Sequence, residues 1–267
     1  MKMKMVIIIS FVFMVENAMM NVVVTGQPNE DMFACRGGDF KSNSIQQNRD
    51  SAINKLLASF RNSSYHGFYH SQVGQKSEEQ VSASLLCPPN IGVDLCRCCV
   101  KSVIPFLLKK CPKQNEGVAW DAFPYLHCMV RYSTGRKIIA VLDDWAWHRL
   151  PDVNFVKTGD LQKTLDSLTS KLKEQAAGGD AYRKYATGKL NYDRDELVLY
   201  VSAQCTPDLS KENCNKCLSK ATTEMRNCCS GKPLFSGRVL SINCFLRYWH
   251  VNFFDPPPEI DKDHYCA

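Results

Sequence analysis

Cys87-Pro88-Pro89-Asn90-Ile91-Gly92-Val93-Asp94-Leu95-Cys96-Arg97-Cys98-Cys99 and Cys205-Thr206-Pro207-Asp208-Leu209-Ser210-Lys211-Glu212-Asn213-Cys214-Asn215-Lys216-Cys217 share one spacing: a cysteine, eight residues, a cysteine, two residues, a cysteine. Twelve residues beyond the last cysteine of each comes another, Cys111 and Cys229, and a further one follows at Cys128 and Cys244. Five matched positions, offset by 116 to 118 residues, mark a tandem duplication. The repeated unit is about 110 residues long, an ordinary domain size.

The segments between the cysteines agree with a repeat. Ile53, Leu57 and Phe60 in the first unit, and Leu161, Leu165, Leu168 and Leu172 in the second, recur every three or four residues and predict an amphipathic helix ahead of each triad. Asp160 reads as the N-cap of the second and Gly178-Gly179 as its end. Residues 196–202 alternate and read as a strand entering Cys205. After the triads, residues 99–110 and 217–226 predict second helices, the first kinked at Pro105. Strand-like sequence closes each unit, at 126–132 and 239–248. Too few parallel crossovers are present for a doubly wound sheet, so the fold class is α+β in two tandem domains. The boundaries read as 1–26 export signal, 27–140 first domain, 141–153 linker, 154–254 second domain and 255–267 tail.

Composition narrows the function. The 267 residues include 14 cysteines, 45% apolar and 22% charged residues, enough to build cores and too apolar for disorder. The net charge of +6 is spread over the chain without a clustered Lys/Arg stripe, so nucleic acid is not expected as a partner. Met1-Lys2-Met3-Lys4 followed by the apolar run Val6–Val15 has the form of a secretory signal. No other window is long and apolar enough for a membrane span. The chain is therefore expected to be secreted, and Asn62-Ser63-Ser64 is its one N-glycosylation sequon outside the signal, with Asn62 the acceptor.

In an oxidising compartment the cysteines read as disulfides rather than zinc ligands or a redox pair, since the two C-x2-C pairs lie in separate units without nearby histidine. Catalytic signatures of the G-x-S-x-G, H-E-x-x-H and phosphate-loop types are missing, and no motif implies a cofactor. His66 and His70, four apart, read as a solvated loop rather than a metal pair. Asp143-Asp144 read as an exposed turn, because neighbours in sequence point apart. Trp145, Trp147, Tyr248, Trp249, Phe253 and Phe254 serve either as a sugar-stacking surface or as core and seam, the second being favoured.

The run Tyr185-Ala186-Thr187-Gly188, the triad Cys205 to Cys217, Cys228-Cys229-Ser230-Gly231, Gly237-Arg238-Val239, Cys244 and Arg247-Tyr248 resembles the plant stress-antifungal domain. This is the ginkbilobin-like fold found in tandem in cysteine-rich receptor-like kinases, plasmodesmata-located proteins and cysteine-rich repeat secretory proteins. The resemblance covers about residues 30–254. It implies, per unit, an antiparallel sheet on two helices. It also implies bridges Cys35 to Cys111, Cys87 to Cys96, Cys99 to Cys128, Cys205 to Cys214 and Cys217 to Cys244. Cys98, Cys228, Cys229 and Cys266 are left over, and the alternatives for them are a bond from Cys266 to the vicinal pair, an intermolecular bridge, or free thiols.

The resemblance further implies a sugar site. Ginkbilobin contacts mannose through an Asn after the first cysteine, the Arg of a Gly-Ala-Arg-Val stretch and a Glu after the Tyr that follows the last cysteine. Here these positions hold Arg36, Arg238, and Ser133 or Trp249, so Arg238 alone is retained as a candidate ligand-binding residue. The functional expectation is a non-enzymatic protein of the apoplast that recognises a cell-wall or microbial carbohydrate, or a receptor ectodomain, in defence or signalling. A mannose-type antifungal lectin and a truncated receptor-kinase ectodomain are the alternatives, the latter because Pro256-Pro257-Pro258 resembles the linker before a membrane helix.

Overall fold

A computed structural model of the chain describes residues 32–62, 65–121, 128–151, 161–192, 197–229 and 236–254. The export signal, Asp160, Ser63-Ser64, His127, Cys266, His264 and the proline tail lie outside the described residues.

Each unit is a five-stranded antiparallel sheet with two helices on one face. The first contains β1 (Phe33–Asp39), α1 (Asn43–Asn62), β2 (Phe68–Val73), β3 (Val81–Leu86), α2 (Val93–Lys110), β4 (Gln114–Trp120) and β5 (Met129–Thr134). The second repeats it with β6 (Trp147–Pro151), α3 (Leu161–Ala177), β7 (Lys184–Tyr192), β8 (Leu197–Cys205), α4 (Lys211–Cys229), β9 (Ser236–Ser241) and β10 (Cys244–Trp249). The strand orders β1-β4-β5-β3-β2 and β6-β9-β10-β8-β7 are the same order in two copies.

The apolar stripes lie where their spacing places them. Ile53 and Phe60 of α1 are buried in one core with Ala83 and Leu85 of β3 and Val130 and Tyr132 of β5, while Leu57 is half-buried and its neighbour Leu56 takes the fully buried place. Leu165 and Leu172 of α3 meet Leu199, Val201, Leu246 and Tyr248. The last turn of α3 closes as Gly178 donates to Glu174 O at 2.9 Å, and the Lys184 ammonium donates to Ala177 O at 3.3 Å, serving a carbonyl that the helix end leaves unpaired. α2 runs unbroken through Pro105. Pro105 is exposed, so water can serve the Lys101 carbonyl that loses its donor.

Three departures from the sequence reading have local causes. Residues 239–248 are a hairpin rather than one strand, because β9 and β10 turn at Ile242-Asn243. The buried Ser241 hydroxyl accepts the Asn243 and Cys244 amides at 3.2 and 3.0 Å, so the turn closes without glycine or proline. Part of the stretch read as a linker is a strand: β6 pairs with β9 from Trp147↔Ser241 to Pro151↔Gly237. Asp143 is no exposed turn residue, since it is ion-paired and only 15% exposed.

Five disulfides join Cys35 to Cys111, Cys87 to Cys96, Cys99 to Cys128, Cys205 to Cys214 and Cys217 to Cys244. Cys98 is buried and disulfide-bonded as well. In the first unit the bridges tie β1 to the end of α2, and α2 to the loop after β3 and to the residue that leads into β5, so the helix is fastened at both ends.

A repeated device fixes the centre of each sheet. Gly117 of β4 faces Tyr132 of β5, and Gly237 of β9 faces Tyr248 of β10, in matching register. A Cβ at either glycine would stand 2.7 Å from the tyrosine ring. The absent side chain is what lets each ring lie flat across its neighbour strand toward the helices. The Tyr132 hydroxyl then donates to Cys111 O and Gln114 O, at 2.9 and 3.0 Å. Burial pushes the Tyr132 phenol up to about 12.

Strand β3, Val81–Leu86, is buried at every position. One face points to the helices and the other carries Leu86, which joins Phe68, Val118, Trp120 and Met129 of the first unit with Leu240, Ile242 and Phe245 of the second in a single apolar seam. The two sheets are therefore stacked through the faces that their own helices leave bare.

Candidate functional site

The seam, its two flanking straps and the outer row of the second sheet hold the concentrated polar and aromatic chemistry of the described chain. After its last strand each unit sends a strap back across its own bare sheet face. Residues 135–146 do so in the first unit and 250–254 in the second. Both straps cover an arginine three residues past the last cysteine. Arg131 is buried and donates to Ile138 O at 2.7 Å and to the Ser84 hydroxyl at 3.1 Å. Desolvation lowers its pKa, opposed by Asp208, Asp143 and Glu116. Arg247, 5% exposed, lies 3.8 Å beneath the Phe253 ring and 5.0 Å from Trp249.

Each strap is grasped by the other unit. The Asn90 amide, in the loop between Cys87 and Cys96, donates to Phe253 O at 2.9 Å, and its carbonyl oxygen accepts the Tyr185 hydroxyl at 3.2 Å. Asp208, three residues past Cys205 as Asn90 is past Cys87, accepts the Ala140 amide at 2.6 Å. Asn243 accepts the Asp143 amide at 2.8 Å and donates to Val141 O at 3.2 Å. Gln204 donates to Cys87 O at 3.3 Å, and His148 Nε2 lies 3.1 Å from Phe33 O.

In the first unit two of the positions compared with the mannose site, Arg36 and Ser133, stand on either side of Glu116 across β1, β4 and β5. The carboxylate, however, comes from β4. Arg36 makes a two-point contact with Glu116, at 2.9 and 3.0 Å, and Arg136 reaches the same group at 3.0 Å. Asp143 lies 3.6 Å from Arg36 and 3.3 Å from Arg136, while Trp145 covers Arg36 at 4.8 Å. Burial raises the Glu116 pKa although Arg36 opposes it. Two cations and two carboxylates thus close on each other and pin the strap, an arrangement suited to holding rather than to proton transfer. Sequence reasoning missed Glu116 and Arg136 and misjudged Asp143 as an exposed turn; Glu116 stands 80 residues from the arginine it meets.

In the second unit Arg238 is half-buried on β9, between Leu150 of β6 and Arg247 of β10. Beyond it, away from the seam, Lys189, Tyr200, Trp249 and Ser236 form one row across β7, β8, β10 and β9. Lys189 is exposed with its ammonium 5.3 Å over the Tyr200 ring, and Phe254 meets Tyr200 edge-on at 5.3 Å. Of the aromatics named from sequence, Tyr248 and Phe253 are buried, Trp145 packs on the seam, Trp147 packs on the second core, and Trp249 and Phe254 keep partial exposure. His66 stacks on Tyr69 at 4.4 Å and meets Tyr182 of the second unit at 5.8 Å, while His70 faces outward from β2. Asn62 closes α1. Among the described residues no helix is long and apolar enough to cross a membrane.

Two stacked antiparallel sheets, each under two helices and stapled by repeated cysteine triads, define a tandem stress-antifungal (DUF26) fold. The chain belongs to the salt stress response/antifungal family, Stress-antifung, whose pattern matches it twice, at residues 34–135 and 152–250. It is 29% identical to cysteine-rich repeat secretory protein 38 of Arabidopsis thaliana, over 79% of each chain. It is 30% identical to cysteine-rich receptor-like protein kinase 28 of the same plant over 85% of this chain, and spans 32% of that relative's length. The crystal structure of the tandem DUF26 ectodomain of the Arabidopsis thaliana cysteine-rich receptor-like protein PDLP8 superimposes with a TM-score of 0.66 at 21% identity, covering 82% of this chain and 97% of that one.

Proposed function

We propose that this chain is a secreted, non-enzymatic recognition protein of the apoplast, acting in defence or signalling by binding a cell-wall or microbial carbohydrate. The observation that carries the reading is the outer row of the second sheet. Lys189, Tyr200 and Trp249 stand in register beside Arg238, giving aromatic rings for the apolar face of a sugar and cations for its oxygens. Kinship with cysteine-rich repeat secretory proteins supports the extracellular setting. The carboxylates of the first unit are held by arginines, which favours binding over acid–base chemistry.

The test is a glycan array probed with the purified, oxidised chain and with Arg238→Ala and Trp249→Ala. Saturable binding lost in both variants supports the reading. Binding that both variants retain, or hydrolytic turnover of the bound glycan, overturns it. A second reading, the ectodomain of a longer receptor, is favoured by the 97% coverage of the PDLP8 ectodomain. Sequencing the transcript beyond codon 267 decides that point.

A further inference from the structure

The reciprocal clasp gives the end of the second unit a property that the carbohydrate reading does not require. The first strap leads from one unit into the other, so holding it fixes their mutual orientation. The second strap, Val251–Phe254, leads out of the second unit and is held by the same construction: its arginine, Arg247, lies below, and the partner unit's disulfide loop, through Asn90, lies beside it. Phe253 is 2% exposed and lines a small cleft at the seam together with Pro88 and Asn90 of the first unit and Tyr185, Gln204, Phe245 and Arg247 of the second. Its carbonyl is bonded across the seam, whereas its ring rests on its own unit.

We propose that the C-terminal strap is a conformational reporter of the seam, seated while the two sheets are stacked and released when they part. Separation of the sheets removes Asn90 and Pro88 together, which opens one wall of the Phe253 cleft and takes away the partner of its carbonyl.

The alternative is that Arg247, Tyr200 and the Asn252 side chain, which accepts the Phe254 amide at 3.0 Å, hold the strap within the second unit alone. Hydrogen–deuterium exchange of the full oxidised chain separates the two. Met129→Ala hollows the seam from the first unit, and Asn90→Ala removes the crossing bond. Each is expected to speed exchange of residues 250–254, Asn90→Ala by about two- to tenfold for the loss of one hydrogen bond. Exchange in α1 should stay at the wild-type rate for Asn90→Ala. Unchanged exchange at 250–254 in Asn90→Ala overturns the proposal, whatever Met129→Ala does, because that loop substitution leaves both cores intact.

Discussion

Removing the Cys35–Cys111 bridge should destabilise the chain far more than removing Cys205–Cys214, although both pairs tie a strand to a helix. The first closes a loop of 76 residues and the second a loop of 9. Loop-closure entropy grows with the logarithm of that length. It amounts to about 15 cal/mol/K, or ~4.5 kcal/mol at 25 °C, for the long loop and ~2.6 kcal/mol for the short one. Cys111, Cys205 and Cys214 are fully buried and Cys35 is half-buried, so the packing lost with the sulfur atoms is no greater for the long bridge and the ~2 kcal/mol difference is the diagnostic quantity. The assay is urea unfolding under oxidising conditions of Cys35→Ala/Cys111→Ala against Cys205→Ala/Cys214→Ala, followed by tryptophan fluorescence. Against a typical domain stability of about 5–15 kcal/mol, the first variant should lose a third or more of its resistance. An equal or larger loss in the short-loop variant would refute the reasoning and shift the explanation to native-state packing.

Gly117→Ala and Gly237→Ala should each cost about 1–3 kcal/mol, because the new methyl meets a tyrosine ring at 2.7 Å and the ring must leave its position across the sheet; thermal melts followed by near-ultraviolet circular dichroism read both. Arg131→Met should lose about 1–3 kcal/mol, since Ile138 O is left without its donor in a buried place, and a melt equal to wild type would contradict that. His66 is packed against Tyr69 and Tyr182, with Tyr65 nearby, and burial lowers its pKa below the ordinary histidine value. A depressed folded value makes the neutral ring's contribution complete above the ordinary pKa of about 6.5, and it is lost as pH falls from there through the folded value. A His66→Phe variant should therefore show a flatter dependence of melting temperature on pH between about 7 and 5 than wild type.

The cysteine map made the duplication legible, and the leucine and isoleucine periods made α1 and α3 legible, because both are patterns within one stretch of chain. The pairing of the cysteines came with the family resemblance, since connectivity is not contained in spacing. Strand β3 resists sequence reading for a physical reason. With Val-Ser-Ala-Ser-Leu-Leu buried on both faces, no polar side remains to alternate. The β9–β10 turn was hidden because Ser241 performs with a side chain what glycine usually signals. The ionic cluster of Arg36, Glu116, Arg136 and Asp143 was invisible because it is assembled from two strands and a strap that meet only after the sheet has formed. Arg131 and Arg247 stood in a repeated Arg-Tyr pair after each last cysteine, a signal that was available for the two strap anchors.

The uneven distribution of bridges confines the two units unequally. Between Cys35 and Cys128 the backbone is long, but a stretched chain can pass from one bridge to the next along residues 99–111 alone. That short segment lets the first unit lengthen by only ~40 Å where an unbridged chain would pay out more than ~300 Å. No cysteine lies between Cys128 and Cys205, which leaves β6, α3 and β7 held by hydrogen bonds and packing alone. That stretch can open without straining a bridge inside it, so hydrogen exchange in β6, α3 and β7 should outpace exchange in α2, which bridges hold at both ends.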